Sequence, residues 1–260
     1  MSRIGPMFER LRAEGRLGLF PFITTGYPRL DSTPDLALAL FDAGADLLEL
    51  GIPFSDPLAE GRTVQATTYQ ALRNGVTVAR CMEAAAAIRA RTEKPLVFMG
   101  YINPILAYGM DRFTADAAAA GVDGLIVPDL SMEETAGLHT ACQAAGLDLI
   151  FFLAPTSTEE RVRQVAALAS GFIYCISVTG VTGSRDSLGD EVDSLLGRIR
   201  AMTSTPLALG FGLSRPEHLR HLEGRVDAAI VGSALLDAIA KADDPAAAGA
   251  AFVHWMRGEA

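Results

Sequence analysis

Cysteine is nearly absent: Cys81, Cys142 and Cys175 are the only three in 260 residues, far apart and with no CxxC pair. That usage argues against a disulfide framework or a cysteine zinc site and predicts reduced core thiols. Histidine is scarce too. His218 and His221 fall three apart on a predicted helix, but no third ligand accompanies them, so they read as surface residues and neither a metal ion nor a cofactor is expected. No apolar run approaches the roughly 20 residues that span a bilayer, and the opening Met1-Ser2-Arg3-Ile4-Gly5-Pro6 lacks a signal-peptide core. A soluble, cytoplasmic chain is the expectation. Positive charge is in deficit, 22 Lys and Arg against 31 Asp and Glu, and no basic cluster is interleaved with aromatics, which argues against a nucleic-acid partner. Nothing resembles a linker, so residues 1–260 are read as one domain.

What the chain does have is aliphatic: half its residues are hydrophobic, with 25 glycines. A phrase recurs as Ala43-Gly44-Ala45-Asp46, Ala120-Gly121-Val122-Asp123, Ala145-Gly146-Leu147-Asp148 and, more loosely, Gly224-Arg225-Val226-Asp227. Each follows a helical pattern and precedes a short apolar run. The Gly supplies the left-handed residue that ends a helix, the next apolar residue packs back, and the Asp is expected to open the following strand. Buried strands are predicted at Leu19–Thr24, Leu47–Gly51, Leu96–Tyr101, Gly124–Val127, Leu149–Leu153, Phe172–Ser177, Leu207–Gly210 and Ala228–Val231. Between them lie helical patterns, among them Pro34–Ala43 with Thr33 as N-cap and Pro34 at the first position, Thr63–Arg73 stopped by Asn74-Gly75, and Val78–Arg91. Strand and helix alternate about eight times, the count of a closed (β/α)8 TIM barrel, with an open doubly wound sheet as the rival. Arg3–Glu14 is expected to be an extra helix covering the barrel bottom, and Pro245–Met256 a last outer helix.

The motif Leu48 to Gly61 carries two acids of interest. Alternation sends Leu48 and Leu50 to one face of a strand and Leu47 and Glu49 to the other, so Glu49 is expected to point inward near the strand's C-terminal end. Glu60 follows on the loop that leaves the strand. A buried acid is costly unless it has partners or a task. The competing account of Glu49 is a structural carboxylate paired with an arginine.

Three glycine-rich turns come late: Gly180-Val181-Thr182-Gly183 after the sixth strand, Gly210-Phe211-Gly212 after the seventh, and Gly232-Ser233 where the eighth meets a helix. Glycine lets main-chain N–H groups approach an anion, and Ser233 adds a hydroxyl at the positive end of a helix dipole. In a barrel these corners converge on one side of the top face, which predicts a phosphate-binding site.

Those motifs, with Pro21-Phe22, Tyr101, Asn103, Pro128-Asp129 and Tyr174, make the chain resemble, nearly end to end, the tryptophan synthase alpha subunit family. The resemblance implies a lyase that splits indole-3-glycerol phosphate into indole and glyceraldehyde 3-phosphate by retro-aldol cleavage, without a cofactor. It implies that Glu49 is the acid/base residue at the breaking bond, and that residue 60 meets the indole N–H. By the same resemblance Tyr174 contacts substrate, Phe22, Tyr101 and Phe211 line the indole pocket, and Thr182 sits on a loop that closes over the site. Gly183, Gly212, Gly232 and Ser233 would hold the phosphate. Asp56 and Pro57 resemble positions facing a beta subunit in an alpha2-beta2 assembly.

The chemistry itself asks for two unlike acids. C3 of the indole must be protonated before the carbon–carbon bond breaks, and the ring nitrogen then carries positive character. A Glu in an apolar wall keeps its proton near neutral pH, while a loop acid nearer solvent is expected to stay ionised. One departure stands out. The family has Asp at position 60 followed by Gly-Pro, where this chain reads Glu60-Gly61-Arg62; Arg62 either pairs with Glu60 or starts a helix facing water. Weaker or more partner-dependent loop chemistry is expected. The alternatives to an alpha subunit are a stand-alone indole-releasing lyase and a barely catalytic allosteric partner. A generic phosphate-binding barrel would leave Leu48 to Gly61 unexplained.

Overall fold

The computed structural model describes residues 2–176, 190–210 and 212–259. Eight parallel strands, β1 (Gly18–Thr24), β2 (Leu48–Gly51), β3 (Leu96–Met99), β4 (Gly124–Ile126), β5 (Asp148–Leu153), β6 (Ile173–Ile176), β7 (Leu207–Gly210) and β8 (Ala228–Val231), pair in chain order into a closed barrel. β8 bonds back to β1, Gly18 opposite Ala228 and Pro21 opposite Val231. That closure eliminates the open-sheet rival.

The helices are α1 (Ile4–Glu14), α2 (Thr33–Asp42), α3 (Arg62–Arg73), α4 (Val78–Arg89), α5 (Ile102–Tyr108) and α6 (Met110–Ala119) in the first half. In the second half come α7 (Thr135–Ala145), α8 (Glu159–Leu168), α9 (Asp190–Arg200), α10 (Pro216–Leu222), α11 (Ser233–Ala240) and α12 (Pro245–Arg257). α4 starts at a Thr77 cap that accepts the Arg80 N–H at 3.3 Å, and α12 starts at Asp244, which accepts from Ala246 and Ala247.

Parity along the strands sorts the side chains as expected. Leu48 and Leu50 join the large core beneath the helices, whereas Leu47 packs inside the barrel with Phe20, Val97, Ile126, Ile150 and Phe172. α1 closes the bottom of this plug. Its Ile4, Met7, Phe8 and Leu11 are buried, and Phe8 lies 5.7 Å from Phe20 and 6.1 Å from Phe172 between ring centroids. Each such side chain contributes roughly 1.5–3 kcal/mol on burial, enough to hold a helix that has no strand of its own to follow.

The repeated turns place Gly44, Gly121, Gly146 and Gly224 at φ of 107°, 84°, 71° and 75°, in the left-handed region as predicted. Asp148 opens β5 as expected, but the other three aspartates behave differently. Asp46 accepts the Leu19 N–H at 3.0 Å, Asp123 the Leu96 N–H at 2.9 Å and Asp227 the Leu207 N–H at 2.8 Å. Each therefore secures the start of the neighbouring, earlier strand, because the carboxylate hangs below the barrel where that strand's first amides lack partners. Arg16 and Arg257 pair with Asp46, and Arg3 and Arg89 with Asp123.

Two further expectations shift. Thr33 is the first residue of α2 rather than its cap; Ser32 takes the cap position, and the buried Thr33 hydroxyl instead accepts the Gly26 N–H at 2.9 Å. The third strand stops at Met99 and α4 at Arg89, short of the predicted Tyr101 and Arg91.

Candidate active site

The strands that end at the top of the barrel carry a second inward layer two residues beyond the plug: Phe22 above Phe20, Glu49 above Leu47, Met99 above Val97, Phe152 above Ile150 and Tyr174 above Phe172. Phe22 and Glu49 are direct register partners on β1 and β2. Close approach of backbone makes room for the rings. A Cβ on Gly51 would lie 2.6 Å from Phe22 Cζ, and one on Gly210 would collide with the Tyr174 hydroxyl, so glycine is required at both.

These residues wall a cavity of about 460 Å³, in the usual range for a small-molecule site, which also takes in Glu60, Gly212, Gly232 and Ser233. Two larger hollows, about 900 and 720 Å³, open on the underside beside α1, away from both acids.

Glu49 has no exposed surface, and neither carboxylate oxygen has a hydrogen-bond partner among the described residues. The arginine of the competing account is absent among the described residues. Burial, and then the charge of Glu60, push its pKa well above the usual carboxylate range, which favours the protonated, neutral form of Glu49. Tyr174, 6 % exposed, is likewise raised well above its ordinary value by burial and by both acids and stays a neutral phenol.

Glu60 stands on the loop between β2 and α3 and is only partly exposed. Burial raises its pKa to about 7, so the loop acid is less firmly ionised than expected. Three contacts fix its main chain: the Glu60 N–H donates to the Pro57 carbonyl at 3.1 Å, Gln65 Nε2 donates to the Glu60 carbonyl at 2.8 Å, and the Ala59 N–H donates to Tyr101 Oη at 2.9 Å. Tyr101 is thus a brace for this loop, with its ring 5.4 Å from Phe54, and it is not among the described residues that line the cavity. Arg62 is exposed and makes no ion pair with Glu60; it opens α3 at the first helical position, after Gly61.

At the opposite side, Gly212 has φ 75° and Gly232 caps α11, whose first residue is the exposed Ser233. A Cβ at Gly232 would touch Phe22 only at ordinary distance, 3.5 Å, so packing does not demand glycine there; an unobstructed approach to the helix N-terminus does. Two of the three predicted glycine corners therefore gather on one cavity with Glu49. The third, with Gly180, Thr182 and Gly183, and likewise Phe211, lies outside the described residues.

The tryptophan synthase alpha chain family model matches residues 8–258. The chain belongs to that family. Among curated family members, the alpha chain of Roseiflexus castenholzii is 51% identical over 99% of this chain and 100% of its own length, and that of Chloroflexus aurantiacus is 48% identical over 98% and 97%. Among solved structures, the tryptophan synthase subunit alpha of Legionella pneumophila superposes with a TM-score of 0.92 at 35% identity, covering 100% of this chain and 98% of that one. A Mycobacterium tuberculosis tryptophan synthase structure gives 0.91 at 36%, covering 99% and 98%. Family membership accounts for the acidic motif and the glycine corners together.

Several cavity residues escaped the sequence reading: Val64, Met99, Phe152, Ile176 and Leu213. For Met99 and Phe152 the signal was present in the parity that set Glu49 inward. Phe152 packs on Tyr174 with ring centroids 4.7 Å apart, which fixes the phenol against the wall. Asp237, one turn after Ser233, also faces the cavity.

Proposed function

We propose that this chain is the lyase component of tryptophan biosynthesis, cleaving indole-3-glycerol phosphate to indole and glyceraldehyde 3-phosphate. The observation that carries the reading is Glu49, fully buried and without a hydrogen-bond partner among the described residues, on the same cavity as Glu60 and the Gly212, Gly232 and Ser233 corner. A neutral carboxyl in an apolar wall is a proton donor without a competing partner.

In this reading the phosphate lies against the N–H groups of Gly212 and Gly232 and the Ser233 hydroxyl, and the indole ring lies between Phe22, Met99 and Phe152. Glu49 delivers its proton to C3, leaving the ring nitrogen cationic. The Glu60 carboxylate accepts the indole N–H and stabilises that charge. The carboxylate left on Glu49 then takes the proton of the hydroxyl on the adjoining carbon. That oxygen forms the aldehyde, the carbon–carbon bond breaks, and its electron pair returns to the ring, restoring neutral indole and the starting proton inventory. Tyr174 supplies a neutral hydroxyl near both acids. Thr182, Gly183 and Phe211 keep the substrate and phosphate roles implied by the resemblance.

The same reading assigns a beta-subunit face to the loop rim. Asp56 is exposed, Pro57 holds Glu60 through its carbonyl, and Leu58 between them and the acid is 91% exposed. Beside this loop, Tyr69 is 65% exposed and joins Phe54, Pro57 and Leu72 around a groove of about 480 Å³. A partner seated there presses on the segment that carries Glu60, which accounts for partner dependence of the chemistry.

Indole release, measured with and without an added beta subunit and beside Glu49→Gln, tests the proposal. Activity that rises with the beta subunit and vanishes in the variant is expected. High activity unaffected by the partner indicates a stand-alone lyase, and binding of substrate with no indole in either condition indicates an allosteric partner only.

A further inference from the structure

α11 begins at the phosphate corner and, one turn on, reaches the acidic loop. Asp237 Oδ1 accepts a hydrogen bond from Thr63 Oγ1 at 3.2 Å while its carboxylate faces the cavity. Thr63 is the second residue of α3 and the third after Glu60. The N-cap of α3, Gly61, offers no side chain to hold that end. The other contacts that fix Glu60 come from the loop itself, from α3 and from the exit of β3, through Pro57, Gln65 and Tyr101. Among the described residues, Thr63 to Asp237 is the one hydrogen bond between α3 and α11. A negative charge beside an anion corner opposes phosphate binding, so Asp237 is not explained as a phosphate ligand. Its geometry fits a tie.

We infer that Asp237 is a positioning residue: through Thr63 it couples the helix that grips phosphate to the loop that carries Glu60, so that an anion at Gly232 and Ser233 steadies the Glu60 carboxylate. The inference rests on the phosphate and Glu60 roles proposed above. It adds a route within one barrel by which the non-reacting end of the substrate improves geometry at the reacting end. Such positioning is worth a great deal when a misplacement of about an ångström costs on the order of a hundredfold in rate.

Amide hydrogen exchange of residues 58–63 in the full chain, with and without inorganic phosphate, tests the tie without reference to turnover. Phosphate is expected to slow exchange in this segment of the native chain, and in Thr63→Ser and Asp237→Asn, which keep a donor and an acceptor. Asp237→Ala and Thr63→Val are expected to lose that response. No slowing in the native chain, or equal slowing in the Ala and Val variants, overturns the inference. In steady-state indole release, Asp237→Ala and Thr63→Val are expected to lower kcat by about fivefold to tenfold with little rise in KM. An unchanged kcat in both, or a fall that Thr63→Ser shares, also overturns it. A native chain that releases no indole defeats the lyase reading, whereas the phosphate response still decides the tie; an active native chain matched by its variants defeats the tie alone.

Discussion

Among the described residues, Glu49 sits in a wall that gives it neither a donor nor a counter-charge, and two consequences follow from that isolation. Glu49→Gln keeps the shape and removes the proton, so indole release is expected to fall by roughly three orders of magnitude, the middle of the range for loss of a general acid. Stability should respond in the other direction. The raised pKa means that the folded chain holds a proton the unfolded chain has lost, so stability declines as pH climbs from the unfolded value near 4.5 toward the folded one. The Gln variant lacks this decline, and urea titrations should show it gaining on the native protein as pH rises above about 5. A constant difference across that range would contradict the isolation of Glu49. Glu60, with a pKa of about 7, must be ionised to meet the indole nitrogen, so kcat/KM for indole release should rise through neutral pH and fall again as Glu49 loses its proton, the two limbs belonging to the coupled pair. The loop also bears on Arg62. Gly61 has φ −73° and ψ 167°, the extended conformation that a following proline requires, and Arg62 occupies the first helical position. Glu60→Asp with Arg62→Pro is therefore expected to fold normally and raise turnover severalfold; an unchanged or lower rate counts against the view that the longer acid and freer loop weaken this site.

Among elements, the latches at the bottom of the barrel illustrate what a linear reading can and cannot find. Asp123 is 1% exposed, pairs with Arg3 and Arg89 and accepts the Leu96 N–H. Asp123→Ala strands two guanidinium groups and the amides of Arg3 and Leu96, and should cost about 3–5 kcal/mol in denaturant unfolding while leaving KM of any correctly folded fraction unchanged. The Ala-Gly-x-Asp phrases were legible as turns, since a left-handed residue is a local requirement that Gly announces. The backward bond from Asp46, Asp123 and Asp227 to an earlier strand was not, because it spans 20 to 27 residues and depends on which strands become neighbours. Thr33 repeats the lesson: a threonine before a proline looks like a cap, yet its hydroxyl was taken by Gly26 once β1 packed beside α2. The acids and glycine corners could be read because their types are chemically unusual where they stand. Met99 and Phe152 share the parity that sets Glu49 inward, but their residue types carry no chemical signal until the closed barrel gives that parity a cavity to face. At Gly212, where φ is 75°, alanine is expected to strain the corner and raise KM for the phosphate substrate about tenfold with a smaller effect on kcat.

The molecule as a whole divides its work along the barrel axis. The acids, the cavity and the exposed Leu58 and Tyr69 lie above; the plug, α1 and the aspartate latches lie below. A docking role for the upper rim predicts that Leu58→Asp combined with Tyr69→Glu weakens the beta-subunit stimulation of indole release by tenfold or more, since a charge replaces each of two exposed apolar side chains on the rim. The thermal midpoint should hardly move, because both side chains are already in water. A shift in melting with intact stimulation would instead place them in the fold's own stability.

The aromatic contact of Phe8 with Phe20 and Phe172 means that the barrel is sealed from beneath by a segment that precedes the first strand. Among the described residues, the cavity of the two acids therefore opens on the upper face, the side that the rim loops frame. Whatever covers that mouth governs admission of substrate and escape of indole alike, so an occupied rim turns an open well into a chamber.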